Sequence, residues 1–200
     1  MNSATRNFRI AVASVFLMVG GFAWWLHSRL KLEVHHHCIR AVGTWLGEYA
    51  ESNGGKFPTS DRGWADALLE LSKIEGNDSW IPYFTGVDDH GELFKRALMD
   101  HSDIPESKCT RIYVQGLNEK SDPDIAIVFD RFSIQGGDHW RGDFSQPRMR
   151  EASLLCGSME IIKDADWPAF EKRQRELLEL AGLSKEQIEG IYSLTGTPHD

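Results

Sequence analysis

Residues 8–53 constrain the fold of this chain more than any other stretch, because they are typical of one long helix that meets two different environments. Residues 8–26 are apolar apart from Arg9 and the small Ser14. About 19 helical residues, each rising ~1.5 Å, span roughly the ~30 Å hydrocarbon core of a bilayer. We therefore predict a single transmembrane anchor within residues 1–28.

The second part of this stretch is amphipathic and predicts a helix that packs on a soluble domain. Its apolar residues recur at helical spacing and form one stripe: Leu30, Val34, Cys38, Ala41, Val42, Trp45 and Tyr49. The pair Gly54-Gly55 ends the helix, because glycine readily adopts the left-handed C-cap conformation, and Pro58 prevents its resumption. We predict one soluble domain over residues 29–200, with Trp45 and Tyr49 in its core.

The charge of the chain argues against a nucleic-acid partner. Its 200 residues carry a formal net charge of -8. A clustered basic surface would supply most of the affinity for a phosphate backbone, and the sequence has no such cluster. The predicted partners are instead a membrane, through the anchor, and an assembly of envelope proteins.

The flanks of the apolar segment bear on its orientation. Arg6 and Arg9 precede it, whereas Arg29 and Lys31 follow it, so the positive charges are nearly balanced and the N-terminal amine favours a cytoplasmic start. The alternative is a cleaved signal peptide, but the apolar run exceeds the usual ~7–15-residue core and lacks a small-x-small cleavage site. We predict a single-pass inner-membrane protein with a periplasmic soluble domain.

The rest of the chain predicts a sheet between helices. A short helix after Ser60 or Asp61 buries Trp64, Ala67, Leu68 and Leu71. Residues 110–114 and 124–129 have strand composition, and the second run, almost uniformly apolar, predicts a central strand. Residues 152–156 and 159–162 predict a hairpin around Gly157-Ser158.

Two helices are predicted after the hairpin. The first follows Asp164–Asp166, has Pro168 in its first turn and ends at Gly182. Its predicted buried face consists of Trp167, Phe170, Gln174, Leu177, Leu178 and Ala181. Ser184 with Gln187 is a capping-box pattern that opens the second. The predicted fold class is α+β: a long N-terminal helix, the membrane anchor continuing into its amphipathic half, packed on a small antiparallel sheet with C-terminal helices.

Three cysteines cannot all pair within one chain. Cys38 lies on the apolar stripe and is interpreted as a small buried hydrophobe. Cys109 and Cys156 flank predicted strands and either form a disulfide or stay free, because sequence does not fix connectivity.

Two motifs carry a resemblance to a known family. Residues 49–60 read Tyr-Ala-Glu-Ser-Asn-Gly-Gly-Lys-Phe-Pro-Thr-Ser, and residues 63–68 read Gly-Trp-Ala-Asp-Ala-Leu. This order resembles the major pseudopilins of bacterial type II secretion systems, whose long N-terminal helix ends in an Asn-Gly-x-Tyr/Phe-Pro-Thr turn before a short helix. Residues 155–160, Leu-Cys-Gly-Ser-Met-Glu, with the preceding Gly136-Gly137-Asp138-His139 loop, resemble the hairpin that closes the sheet of pilin-like proteins.

The chain departs from that family in its first residues. A prepilin has a leader ending in Gly before an aromatic or Met residue, whereas Asn7-Phe8 stands here, and no carboxylate lies within residues 8–26. The family's early glutamate pairs with the N-terminus of the neighbouring subunit during assembly. The departures predict an anchor that is not processed and a protein that does not polymerise by the filament route.

Candidate metal ligands occur in three places. His35-His36-His37-Cys38 carries good zinc or copper ligands, but consecutive helical residues point about 100° apart, so a solvated or interfacial histidine cluster is the simpler interpretation. Asp88-Asp89 with His90 and Glu92 could hold calcium but does not match an EF-hand, so a solvated acidic turn is the simpler interpretation. Asp138, His139 and Asp143 form the third set, in which His139 with Asp130 also resembles a base and its orienter.

No catalytic, cofactor-binding or metal site is predicted from these patterns. Ser153 and Ser158 lie in no strained Gly-x-Ser-x-Gly elbow, and phosphate-loop and dinucleotide motifs are missing. The resemblance implies a non-enzymatic, membrane-anchored, pseudopilin-like structural or interaction protein of the bacterial cell envelope, linked to type II secretion. The alternative is an envelope enzyme, such as a metal-dependent hydrolase, or a metal-binding protein that uses the His139 loop.

Overall fold

The computed structural model describes residues 14–15, 17–24, 39–69, 71, 96, 106, 109–135 and 145–196. The chain divides into two compact units, residues 1–36 and 37–200. In the first unit the described residues are helical, and their large apolar side chains are exposed: Val15, Leu17, Met18, Val19, Phe22 and Trp24. The elements named below all belong to the second unit.

Within the described residues, no helix has both the length and the apolar character needed to cross a bilayer. The two longest named helices have 14 residues each. At ~1.5 Å per residue each rises about 21 Å, short of the ~30 Å hydrocarbon core. The prediction of a single-pass inner-membrane protein with a periplasmic domain is therefore corrected. Parts of the predicted anchor, residues 8–13, 16 and 25–26, lie outside the described residues.

Helix α1 (Ile39–Ser52) packs on the sheet through one face. The face consists of Ile39, Val42, Leu46 and Ala50, which recur at intervals of three and four residues. Trp45 and Tyr49, predicted to be core residues, are only partly buried and flank it. The described helix begins at Ile39, and residues 25–38 of the predicted long helix lie outside the described residues.

The predicted stop of this helix is confirmed. Gly54 and Gly55 have φ of 66° and 79°, in the left-handed region, and the Gly55 N–H donates to the Ala50 carbonyl at 2.8 Å. After the turn, the short helix α2 (Trp64–Ala67) forms. The residues predicted to be its buried face are all buried: Trp64, Ala67, Leu68 and Leu71.

In the described part of the chain, five strands form one antiparallel sheet: β1 (Arg111–Tyr113), β2 (Ala126–Asp130), β3 (Ile134–Gln135), β4 (Arg148–Leu154) and β5 (Met159–Lys163). Strands β2 and β3 pair with successive parts of the same edge of β4, and β5 pairs with its other edge. The result is a meander in which β2 is central and fully buried, as predicted. The predicted hairpin is confirmed too, although β4 begins at Arg148, four residues before the predicted strand.

Two C-terminal helices cover the sheet on the Phe129 side. A 3-10 turn (Asp164–Asp166) leads into α3 (Trp167–Leu180), and Ser184 caps α4 (Lys185–Ser193) through the predicted capping box. The Phe129 ring lies 5.9 Å from the Trp167 ring and 5.7 Å from the Tyr192 ring, centroid to centroid. Of the predicted α3 face, Leu177 is partly buried and Ala181 is exposed.

The predicted α+β class is confirmed, because helices pack on an antiparallel sheet.

Gln174 of α3 completes the hydrogen bonding of the central strand. Its Oε1 accepts the Ala126 N–H at 2.8 Å, and its Nε2 donates to the Asp124 carbonyl at 2.9 Å. The pairing of β2 with β4 changes register between Ala126 and Val128, so the strand needs a partner from outside the sheet there.

Cys109 and Cys156 do not form a disulfide with each other. Both are free thiols, the first buried and the second exposed. The Cys156 Sγ lies 2.9 Å from the Ser158 Oγ at the tip of the β4–β5 hairpin. Cys38 lies outside the described residues.

We expect Gly43→Ala to destabilise the protein although alanine is the better helix former by ~1 kcal/mol. A Cβ at Gly43 would lie far inside van der Waals distance of the Ser153 Oγ on β4. Overpacking of this kind costs about 1–3 kcal/mol. Urea denaturation of the two proteins measures the difference.

Ser153→Ala supplies the matched control. The Ser153 hydroxyl is buried and makes no hydrogen bond in the described part of the chain, so its loss alone should cost little. In the double variant the added Cβ would meet only the β-carbon of residue 153, at 3.4 Å. The double variant should recover the stability lost in Gly43→Ala. If the two losses add instead, the close approach is not the cause.

Candidate binding cleft and buried charges

A cleft of about 230 Å³ lies between the start of α2, strand β1 and helix α4. We call it the α2–α4 cleft. Its described lining residues are Gly63, Trp64, Glu106, Tyr113, Gln115, Leu183, Gln187, Gly190, Ile191 and Leu194. Concave sites with an apolar wall and a few convergent polar groups are the usual places for binding, so this is the candidate site.

Glu106 is held in the cleft by the start of α2. Its Oε1 accepts the Trp64 N–H at 2.8 Å, which satisfies one of the backbone donors that a helix leaves open. Gly63 makes this approach feasible, because a Cβ there would lie 2.5 Å from the same oxygen. Its φ of 118° is also one that glycine alone adopts readily.

The floor of the cleft is fixed by contacts between β1 and the turn after α1. The Tyr113 hydroxyl donates to the Pro58 carbonyl at 2.8 Å, and the Ser60 N–H donates to the Gln115 Oε1 at 3.1 Å. Burial raises the pKa of Tyr113 well above its ordinary value. The tyrosine therefore stays a neutral hydrogen-bond donor, and the Phe-Pro-Thr-Ser turn is tied to the sheet.

Helix α4 forms the opposite wall. The Gln187 Oε1 accepts the Ser184 N–H at 2.8 Å in the capping box, which fixes this side chain beside the cleft. Apolar side chains provide the rest of the wall: Leu183, Ile191 and Leu194. Gly190 leaves open space, because nothing lies within 4 Å of a Cβ placed there.

Burial raises the pKa of the Glu106 carboxyl, since removal from water disfavours its charged form. Hydrogen bonds from the Trp64 and Ala65 backbone, and a weaker influence of the Trp64 side chain, act in the opposite direction. Burial also raises the pKa of Cys109, and the nearby Glu106 charge adds to this effect. The Cys109 thiol is therefore protonated and poorly suited to nucleophilic chemistry.

A second set of polar groups is buried in the sheet itself. The Arg111 Nε donates to the Asp130 Oδ1 at 3.1 Å, and the Asp130 Oδ2 accepts the Glu151 N–H at 2.8 Å. The three residues stand on adjacent strands, and each is less than 7% exposed. Buried charges of this kind persist only when they are paired.

Arg150 lies on the other side of β4, with its guanidinium 4.0 Å from the centre of the Trp167 ring. Burial lowers its pKa, and the charges of Asp164 and Asp130 oppose that shift. Its Nε and Nη1 make no hydrogen bond within the described residues. The stacking on Trp167 is its main contact with α3.

The residues singled out from the sequence are not brought together in the described structure. His35–His37, Cys38, Asp138, His139, Asp143 and the acidic set at Asp88, Asp89, His90 and Glu92 lie outside it. Asp130, interpreted as an orienter for His139, is described and is engaged by Arg111. Ser153 is buried against α1, whereas Ser158 is exposed. The described residues contain no group of three or more His, Cys, Asp and Glu that could hold a metal ion.

Sequence reasoning missed the α2–α4 cleft. Glu106 falls in a stretch, residues 75–106, that has no periodic pattern, and its capping role depends on a helix 42 residues earlier. The burial of Asp130, which pairs with Arg111, could have been inferred from the sequence. Asp130 directly follows the apolar run 125–129, with no turn residue between them. The sequence matches no protein-family model, no curated protein and no solved structure.

Proposed function

We propose that this chain is a pseudopilin-like structural or interaction protein of the bacterial cell envelope, linked to type II secretion, which works by binding other proteins rather than by catalysis. The observation that supports the proposal best is the placement of α1. This amphipathic helix packs on the antiparallel meander and ends at the double-glycine turn of the Asn-Gly-Gly-Lys-Phe-Pro-Thr segment. A pseudopilin helix ends at a turn of the same kind.

The contacts of the turn strengthen this proposal. Pro58 and Ser60 are hydrogen-bonded to Tyr113 and Gln115 at the end of β1, so the turn fixes α1 to the sheet rather than merely reversing the chain. We further propose that α1 is the last part of a longer N-terminal helix, as in the pseudopilin arrangement. Its outward face remains polar and exposed at Arg40, Thr44 and Glu48, where another subunit could pack.

The roles of the described polar residues also favour binding over catalysis. Asp130, Gln174 and Glu106 all receive backbone N–H groups and thereby stabilise a strand or a helix start. A catalytic site needs a nucleophile or a base that is directed at the position of the substrate. The alternative function relies on His139 and Asp138, which lie outside the described residues.

Site-specific photo-cross-linking tests the proposed role. A photoreactive residue at Glu48, on the exposed face of α1, should give a discrete product with a second pilin-like subunit in intact bacteria. The same residue at the exposed Glu179 of α3 is the control and should not give that product. Mass spectrometry identifies the partner. No product at Glu48, or the same product at both positions, would contradict the proposed role.

A further inference from the structure

We propose that the α2–α4 cleft binds one basic side chain, a lysine or an arginine, from a peptide segment of a partner protein. The inference rests on the proposed interaction role and adds the surface and the chemistry of recognition. It is carried by the size of the cleft, by the Glu106 carboxylate and by the amide groups around it.

The size of the cleft fits one side chain. Small-molecule sites usually enclose ~300–1,000 Å³, whereas this cleft encloses about 230 Å³. Its apolar wall, formed by Leu183, Ile191 and Leu194, suits the aliphatic stem of a lysine or arginine, because these stems lie along apolar surfaces while the charged end meets a polar group.

The charge of the cleft selects a cation. Glu106 is the one charged residue among its described lining residues. The groups that stabilise its carboxylate are hydrogen-bond donors of Trp64 and Ala65, and burial outweighs them. Arg131 approaches Glu106 at the backbone carbonyl, with its Nη1 3.5 Å from that oxygen. A basic side chain in the cleft would therefore meet a partly desolvated carboxylate, where an ion-paired hydrogen bond is strong.

The remaining polar groups suit a peptide backbone. Gln115 and Gln187 use their Oε1 atoms within the protein, and in the described part of the chain neither Nε2 donates a hydrogen bond. These two amide N–H groups can donate to the carbonyl oxygens that flank a basic residue in a peptide.

Nuclear magnetic resonance on the full chain tests the proposal. N-acetyl-arginine amide and N-acetyl-lysine amide are added to the ¹⁵N-labelled protein, with N-acetyl-citrulline amide as the uncharged match for arginine. We expect the Trp64 indole and Gln187 side-chain signals to shift with both basic amides. Citrulline amide should bind about tenfold more weakly, because charge-assisted hydrogen bonds are roughly twice as strong as neutral ones.

Two variants make the outcome decisive. Glu106→Gln keeps an oxygen for the Trp64 N–H but loses the charge, so the preference for arginine over citrulline should vanish. Gly190→Leu fills the cleft and should abolish binding even if Glu106→Gln fails to fold. Gly47→Leu, in α1 with nothing within 4 Å of its Cβ position, is the matched control and should bind normally.

Equal binding of citrulline and arginine amides, or unchanged binding by Gly190→Leu, would overturn the assignment of the cleft. Neither result depends on the cross-linking at Glu48. If the amides bind but no pilin-like product forms, the cleft assignment stands and the proposed role fails. If the product forms but the amides do not bind, the role stands and the cleft assignment fails.

Discussion

Asp130→Ala is expected to destabilise the protein by about 3–5 kcal/mol, because it leaves the Arg111 guanidinium buried without this carboxylate. The same change removes the acceptor of the Glu151 N–H in the middle of the sheet. Globular proteins are stable by only about 5–15 kcal/mol, so the variant should lose a large part of its stability. Denaturation in urea, followed by tryptophan fluorescence, gives the free energy of unfolding.

Two comparisons separate this effect from a general loss of charge. Glu160 pairs with Arg173 at 2.6 Å on the surface, and Glu160→Ala should cost less than about 1 kcal/mol. The double variant Arg111→Met with Asp130→Leu should lose less than Asp130→Ala alone, because both members of the buried pair are replaced by apolar residues. A loss as small as that of Glu160→Ala would show that the buried pair does not stabilise the fold.

Phe129→Ala is the second change with a large expected effect, a loss of about 3–5 kcal/mol. The Phe129 side chain is fully buried between Trp167 and Tyr192, so its removal leaves a cavity between the sheet and both C-terminal helices. Thermal unfolding monitored by near-ultraviolet circular dichroism should show a much lower Tm. Amide hydrogen exchange in α4 should also accelerate, since Tyr192 loses its stacking partner.

Leu180→Ala is the matched control for this prediction. Leu180 is also a large apolar residue of the C-terminal region, but 84% of its surface is exposed. Its replacement should change the stability by no more than about 0.5 kcal/mol. If Phe129→Ala melts at the same temperature as Leu180→Ala, the helices do not depend on the aromatic cluster.

Local sequence patterns predicted the elements in which the spacing of apolar residues matches the faces that are buried. The run 125–129 is apolar throughout because β2 is covered on both faces, so the prediction of a central strand followed directly. The capping box at Ser184 and Gln187 and the double-glycine stop are local chemistry as well. Each of these signals lies within a few residues of the structure it determines.

The buried face of α1 was predicted only in part, for a physical reason. The predicted stripe followed the largest apolar side chains, Trp45 and Tyr49, whereas the sheet selects Ile39, Leu46 and Ala50. The close approach at Gly43 brings the small-residue side of the helix onto β4 and moves the aromatic residues to its edges. Which side of a helix approaches the sheet most closely depends on the side chains of the partner strand. The sequence of residues 39–52 alone contains no information about that strand.

The α2–α4 cleft could not be predicted for a related reason. Its walls come from Trp64, Glu106, Gln115 and Gln187, which lie on different elements, and no local sequence pattern connects them. Glycine at Gly63 and Gly190 gave no signal either, because the need for space appears only when the opposite wall is in place.

The hydrogen bonds from Gln174 to β2 imply that the sheet can form during synthesis before its central strand has all of its hydrogen-bond partners. The sheet is a meander of neighbouring strands, and β2 can meet both of its neighbours, β1 and β4, once residue 154 has been synthesised. The Ala126 N–H nevertheless finds its acceptor 48 residues further along the chain. At synthesis rates of about 5–20 residues per second, that acceptor is made roughly 1–4 s after Leu154, the last residue of β4. During that interval the Ala126 N–H of the central strand lacks its side-chain acceptor. A nascent chain stalled before residue 174 would keep this N–H without that acceptor.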